Sequence, residues 1–166
     1  MVPGDTALHG TEAIAAALPI VERLTGNRAR RVTGWATVEL DRAVQELTAS
    51  PASPTTRDLP DDTLLGACCR LVSLGPGERE LLLLEPSTEG RVAASLARFG
   101  EGPVALYVIV PSHQFGEMIR ASVGAGLVFS AEADGPFGRQ RLVAGGPRWG
   151  AHLCVAQSTG AATIEP

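Results

Sequence analysis

The chain has 166 residues, a net charge of −4 and a pI near 5.4. That length holds one domain with a full core or two small fused modules, and the acidic balance argues against a nucleic-acid partner, which would need a basic stripe. Hydrophobic residues make up 45% and aromatics only 4%, so Leu, Val, Ala and Ile must build the core.

Met1 to Gly10 reads as a loose terminus. From Thr11 to Leu24, apolar residues at Ile14, Ala17, Leu18, Val21 and Leu24 fall at helical spacing behind Thr11, a suitable N-cap. Pro19 is expected to kink or split this helix, and Gly26 to end it. Val32 to Leu40 is rich in Val, Thr and Trp and reads as a strand. Asp41 then caps a short helix through Leu47. Ser50 to Asp62 is polar and holds Pro51, Pro54 and Pro60, so it reads as an irregular loop with at most one short edge strand.

Leu64 to Leu74 and Glu80 to Glu85 form a hairpin around Gly75-Pro76-Gly77. Glu89 to Phe99 reads as a helix with Val92, Leu96 and Phe99 on one face. The continuous apolar run from Val104 to Val110 is a strand covered on both sides. Ser112 opens a helix to about Val123. Three strands follow, at Gly126–Ala133, Arg139–Ala144 and Gly150–Gln157, before a tail from Ser158. The order of elements is a βαβββ unit used twice.

All 14 basic residues are arginine, a pattern of GC-rich coding as in actinobacteria. It rules out a Schiff base or a lysine general base. Cys68, Cys69 and Cys154 are odd in number and lie in apolar runs, where cysteine acts as a small hydrophobe rather than in a disulfide framework. No apolar run reaches membrane-spanning length, and no basic segment precedes an apolar one at the N-terminus. The expectation is a cytoplasmic protein with no membrane partner. Gly-x-Gly-x-x-Gly, Gly-Lys-Ser and Gly-x-Ser-x-Gly are all missing from the sequence.

The stretch Glu78 to Val110, with Leu-Glu-Pro closing a strand and Gly-Glu-Gly opening the next after a helix, resembles the vicinal-oxygen-chelate superfamily. The wording is that of its methylmalonyl-CoA-epimerase-like branch, and Val-Glu-Leu-Asp-Arg-Ala-Val at 38–44 is similar as well. The resemblance implies an α+β fold in which two βαβββ modules form one U-shaped mixed sheet around a cavity. Residues 32–157 would make that domain, residues 1–31 an N-terminal extension with a helix, and residues 158–166 a flexible tail. It also implies one divalent metal in the cup, a Lewis acid for two adjacent substrate oxygens. The anchors put Val32 near the first ligand position and Leu82, Ala105 and Cys154 at the others. Three of these side chains have no donor atom, so the sequence implies no metal and no cofactor.

Other groups remain to act on a ligand. Tyr107 shares the face of Ala105, either as a hydrogen-bond donor or as a core tyrosine with its tip in water. His152 shares the face of Cys154, either as a general base or as a satisfied strand histidine. Arg139 and Arg141 face the same way, a clamp for an anion or a solvated sheet edge. Trp149 either walls the mouth of the cup or plugs the end of the sheet. The catalytic candidates are thus Tyr107 and His152, and the substrate-binding candidates Arg139, Arg141, Trp149, Leu82, Ala105 and Cys154.

The resemblance then implies a metal-independent protein acting on a small hydrophobic or anionic metabolite. One form is a tailoring enzyme of bacterial secondary metabolism, catalysing a cyclisation, isomerisation or epimerisation. Another is a non-catalytic antibiotic-binding or self-resistance protein, and a third a metal-dependent epimerase. Its aliphatic and basic candidate residues favour a neutral or anionic ligand. An open cup with sheet edges, plus an added apolar helix, implies a homodimer.

Overall fold

A computed structural model describes residues 12–26, 29–48, 54–75, 80–146 and 148–158. Helix α1 (Glu12–Thr25) precedes β1 (Arg30–Ala36), α2 (Leu40–Thr48), β2 (Thr55–Asp62), β3 (Ala67–Ser73) and β4 (Glu80–Pro86). Helix α3 (Arg91–Phe99) bridges to β5 (Gly102–Val110), α4 (Ser112–Gly124), β6 (Ala133–Gly135), β7 (Gly138–Leu142) and β8 (His152–Gln157). The strands form one sheet in the order β2-β3-β4-β1-β5-β8-β7-β6, so each βαβββ unit contributes one half and the halves mirror each other. This is the architecture the resemblance implies.

The symmetry extends to single residues. Strands β1 and β5 pair antiparallel with Thr33 opposite Leu106. Gly34 lies beside Leu82 of β4, as Tyr107 lies beside Cys154 of β8. A twofold axis through the Thr33–Leu106 pair therefore carries Val32 onto Ala105, Gly34 onto Tyr107 and Leu82 onto Cys154. The sheet curls until its two edges touch: the Thr63 backbone N–H and hydroxyl both donate to the Asp134 carbonyl, at 3.5 and 2.7 Å.

Alternation gives the curled sheet two apolar faces. The inward face packs Val32, Leu82, Leu84, Ala105, Tyr107 and Cys154 with Cys69, Leu71 and Phe137 into one buried cluster. The outward face packs Val108, Val110, Leu153 and Val155 against Ile14, Ala17 and Val21 of α1 and Phe115 and Met118 of α4. The N-terminal helix thus shares with α4 the cover of the outer face.

Several elements depart from the sequence reading. Helix α1 runs unbroken through Pro19. That residue sits on the solvent side, so the missing hydrogen bond is not buried while Ile14, Ala17 and Val21 stay packed. The segment read as a loop with at most one short edge strand holds an eight-residue one, β2, whose exposed face accepts polar residues and Pro60. The strand expected at Gly126–Ala133 is reduced to the Phe129–Val143 bridge and the short β6. Phe99 is 46% exposed at the end of α3, while Ser95 is buried in its place. Thr11, the expected cap, and residues 76–79 of the expected turn lie outside the described residues, as does the tail beyond Ser158. Among the described residues no helix is long and apolar enough to cross a membrane.

Candidate functional site

The inward positions that the resemblance marks are filled by buried side chains. Val32, Leu82, Ala105 and Cys154 are all buried in the inward cluster. Gly34 makes room for this packing: a Cβ there would lie 2.9 Å from Leu84 Cδ1 and 3.1 Å from Tyr107 Cε2. Its symmetry mate Tyr107 fills the space that Gly34 leaves.

Tyr107 is fully buried, and its hydroxyl donates to Asp62 Oδ2 at 2.6 Å. Asp62, also fully buried at the end of β2, accepts through Oδ1 from the backbone N–H groups of Leu64 (3.0 Å) and Leu65 (2.9 Å). Burial first, then the nearby Asp62 charge, pushes the Tyr107 hydroxyl well above its usual range. This phenol is committed to a carboxylate and holds its proton. Phe137 meets its ring edge-on at 5.4 Å.

The same residues decide whether a metal fits. Of the four positions, only Cys154 offers a donor, and burial followed by Asp62 holds that thiol up in its protonated form. Cys69 is pushed up by the same causes. Among the described residues no group of three or more His, Cys, Asp or Glu is placed to hold a metal ion. The donor set does not fit one.

The arginines of β7 do not join the cup. Gln140, between them, is the residue that turns inward and is fully buried, lying where any side chain at Gly135 would clash. Arg139 and Arg141 face outward, and both pair with Glu132, at 3.1 and 3.6 Å. The expectation that Arg141 lines the cup is corrected by this parity. Trp149 is 43% exposed, with the Arg98 guanidinium 5.0 Å from its ring.

His152 lies beside Ala105 at the start of β8 and is 4% exposed. Burial, then the Arg91 guanidinium, lowers its pKa to about 4, against a hydrogen bond to the Arg148 backbone that works to raise it. Among the described residues its Nε2, a buried atom, has no partner. A cavity of about 110 Å³ opens here, lined by His152 with Arg91, Ile14, Ser130, Gly145 and Gly146 among others. It sits where β7 and β8 run out, between α1 and the first turn of α3.

Arg91 was not singled out in the sequence, although a signal exists. It is the first residue of α3, at the positive end of the helix dipole, and no acidic residue shares that first turn. Among the described residues its guanidinium has no ion pair or hydrogen bond. The loop before β8 is tied to this helix and to the turn just before it. Arg148 Nη2 donates to the Glu89 carbonyl at 3.1 Å, and the Gly150 N–H donates to Ser95 Oγ at 3.1 Å.

No protein-family model matches the sequence, and no curated protein matches it either. Solved structures do. Methylmalonyl-CoA epimerase from Mycobacterium tuberculosis superposes with a TM-score of 0.61 at 19% identity, covering 75% of this chain and 85% of the epimerase. A hypothetical protein from Bacillus halodurans C-125 gives 0.59 at 19% identity, over 78% of this chain and 95% of that one. A variant of the Streptomyces coelicolor methylmalonyl-CoA epimerase, in complex with 2-nitronate-propionyl-CoA, gives 0.56 at 19%, over 81% and 96%. The chain has the vicinal-oxygen-chelate fold. Within that fold, the inward positions that the resemblance marks carry hydrocarbon and one protonated thiol. Of the buried side-chain atoms without a partner among the described residues, His152 Nε2 lies at the foot of β8 and those of Gln140 and Arg141 lie on β7.

Proposed function

We propose that this protein is a metal-independent vicinal-oxygen-chelate-fold protein that binds a small anionic metabolite at the foot of β8. The supporting observation is the pairing of Arg91, a cation with no partner among the described residues, with a nearly buried His152 on one cavity. A guanidinium has only donors and suits a carboxylate. The cavity has room for several waters or an acid of a few carbons. Calorimetric titration of the purified protein with short monocarboxylates at pH 7 tests this. Saturable binding is expected, weakened at least about tenfold in Arg91→Gln. A wild-type protein that binds none of the acids would refute the reading.

A second form of the same reading is enzymatic, a tailoring isomerase, and the place of His152 in the cavity lining favours it. His152 would take a proton from a carbon that lies between the carboxylate and a second carbonyl, which holds the charge as an enolate, and return it, so that no co-reactant is consumed. Methylmalonyl-CoA, named in complex with one fold neighbour, has such a carbon between its carboxylate and its thioester. A pKa of about 4 leaves His152 available but weak as a base, since proton transfer is best served by a group near the working pH. Binding therefore comes first. Deuterium entering carbon 2 of a bound acid from D2O, and its loss in His152→Gln, would reverse that order.

A further inference from the structure

We propose that the acid held at this site is a short aliphatic monocarboxylate whose hydrocarbon tail runs from Arg91 toward Ile14 of the N-terminal helix, and that Ile14 sets the length of tail accepted. The inference rests on the anion site proposed above and names its ligand class. The cavity lies across the strand ends. Its lining takes Leu142 from the inward cluster, and Ile14, Ala151 and Leu153 from the outward one. Arg91 stands on α3, whose next residue, Val92, packs in the inward cluster. Ile14 stands on α1, against the outward face. A ligand that fills the cavity from the guanidinium extends round the foot of β8 toward α1.

The chemistry of the wall changes along that line. Among the described residues Arg91 is the one charged group in the lining, His152 being held neutral at pH 7. On the far side the wall is Ile14 with Val143, which packs against the same outward cluster. Val143 is half-buried and the neighbouring Ala144 exposed, so both offer apolar surface that a tail would cover. Ser130, also in the lining, calls for no polar group on the ligand. Its hydroxyl donates to the Ala131 carbonyl at 2.8 Å and accepts from the Leu142 N–H at 3.0 Å. A second carboxylate at the Ile14 end would meet hydrocarbon with no cation beside it, a costly placement. Methylenes gain there by leaving water.

The test is calorimetric titration of the full chain at pH 7 with the straight-chain acids from acetate to hexanoate, and with succinate. Affinity is expected to rise about threefold per added methylene. It should peak at about four carbons, the length that about 110 Å³ admits, and fall beyond. Succinate, as long as butyrate, should bind at least about tenfold more weakly. In Ile14→Ala the peak should move to acids longer by about one or two carbons. Affinity that stays flat from acetate to butyrate, with all binding lost in Arg91→Gln, would overturn the tail and leave the anion site standing. A peak that does not move in Ile14→Ala would overturn the role of Ile14. Failure of every acid to bind would overturn both the tail and the anion site. Should Ile14→Ala not fold, Ile14→Val removes one carbon only. It should raise pentanoate relative to butyrate by at least about twofold, and an unchanged ratio would count equally against Ile14.

Discussion

Replacing Asp62 with alanine is expected to remove roughly 3–5 kcal/mol of stability, the largest effect of any single substitution in the cup. The carboxylate is fully buried and holds three donors at once: the Tyr107 hydroxyl and the backbone N–H groups of Leu64 and Leu65. Alanine would leave all three inside the sheet with no acceptor and open a small void. For a domain of this size the loss corresponds to a melting temperature about 10 °C lower. Tyr107→Phe removes one donor only, so its cost should be about 1–2 kcal/mol. Thermal unfolding followed by circular dichroism separates the two. A drop for Asp62→Ala no larger than that for Tyr107→Phe would show that the backbone donors find other partners.

The second large effect is acid sensitivity centred on His152. In the unfolded chain its imidazole titrates near 6.5, and in the folded protein near 4. Between these values the unfolded state binds a proton that the folded state refuses, so stability must fall as pH falls. The contribution is fully present above about pH 6.5 and is lost progressively toward pH 4, on the order of 3 kcal/mol in total. Denaturant midpoints measured at steps of pH would show this slope in the wild type. His152→Gln should flatten it without changing the behaviour above pH 7. Parallel profiles for the two proteins would mean that the imidazole is not held neutral.

The fold was readable because its signals are local and regular. Leu-Glu-Pro and Gly-Glu-Gly fix the ends of β4 and the start of β5, and the apolar run through Val110 could only be a buried strand. What escaped depended on contacts between distant segments. Strand β2 is polar along its exposed face and interrupted by Pro60, so nothing in its periodicity marks pairing to β3. Asp62 looked like one more loop acid. Its burial is decided by Tyr107, 45 residues away, although an Asp two and three residues before Leu64 and Leu65 is a recognisable turn arrangement. The parity of Arg139 and Arg141 was legible, but which face they take is decided by Gln140 packing over Gly135. Arg91 was not singled out because its meeting with His152 depends on how α3 and the loop before β8 fasten together.

The seam between β1 and β5 constrains how the chain can be made. As synthesis proceeds, β1 can pair with β4 once residue 86 has emerged, but its other edge has no partner until β5 is complete at Val110. An unpaired edge in the middle of a growing sheet is a template for another chain. The axis that carries β1 onto β5 means that the best substitute for β5 is β1 of a second copy. Fragments ending before Gly102 are therefore expected to pair edge to edge, assembling from two half-chains the sheet that one whole chain closes alone.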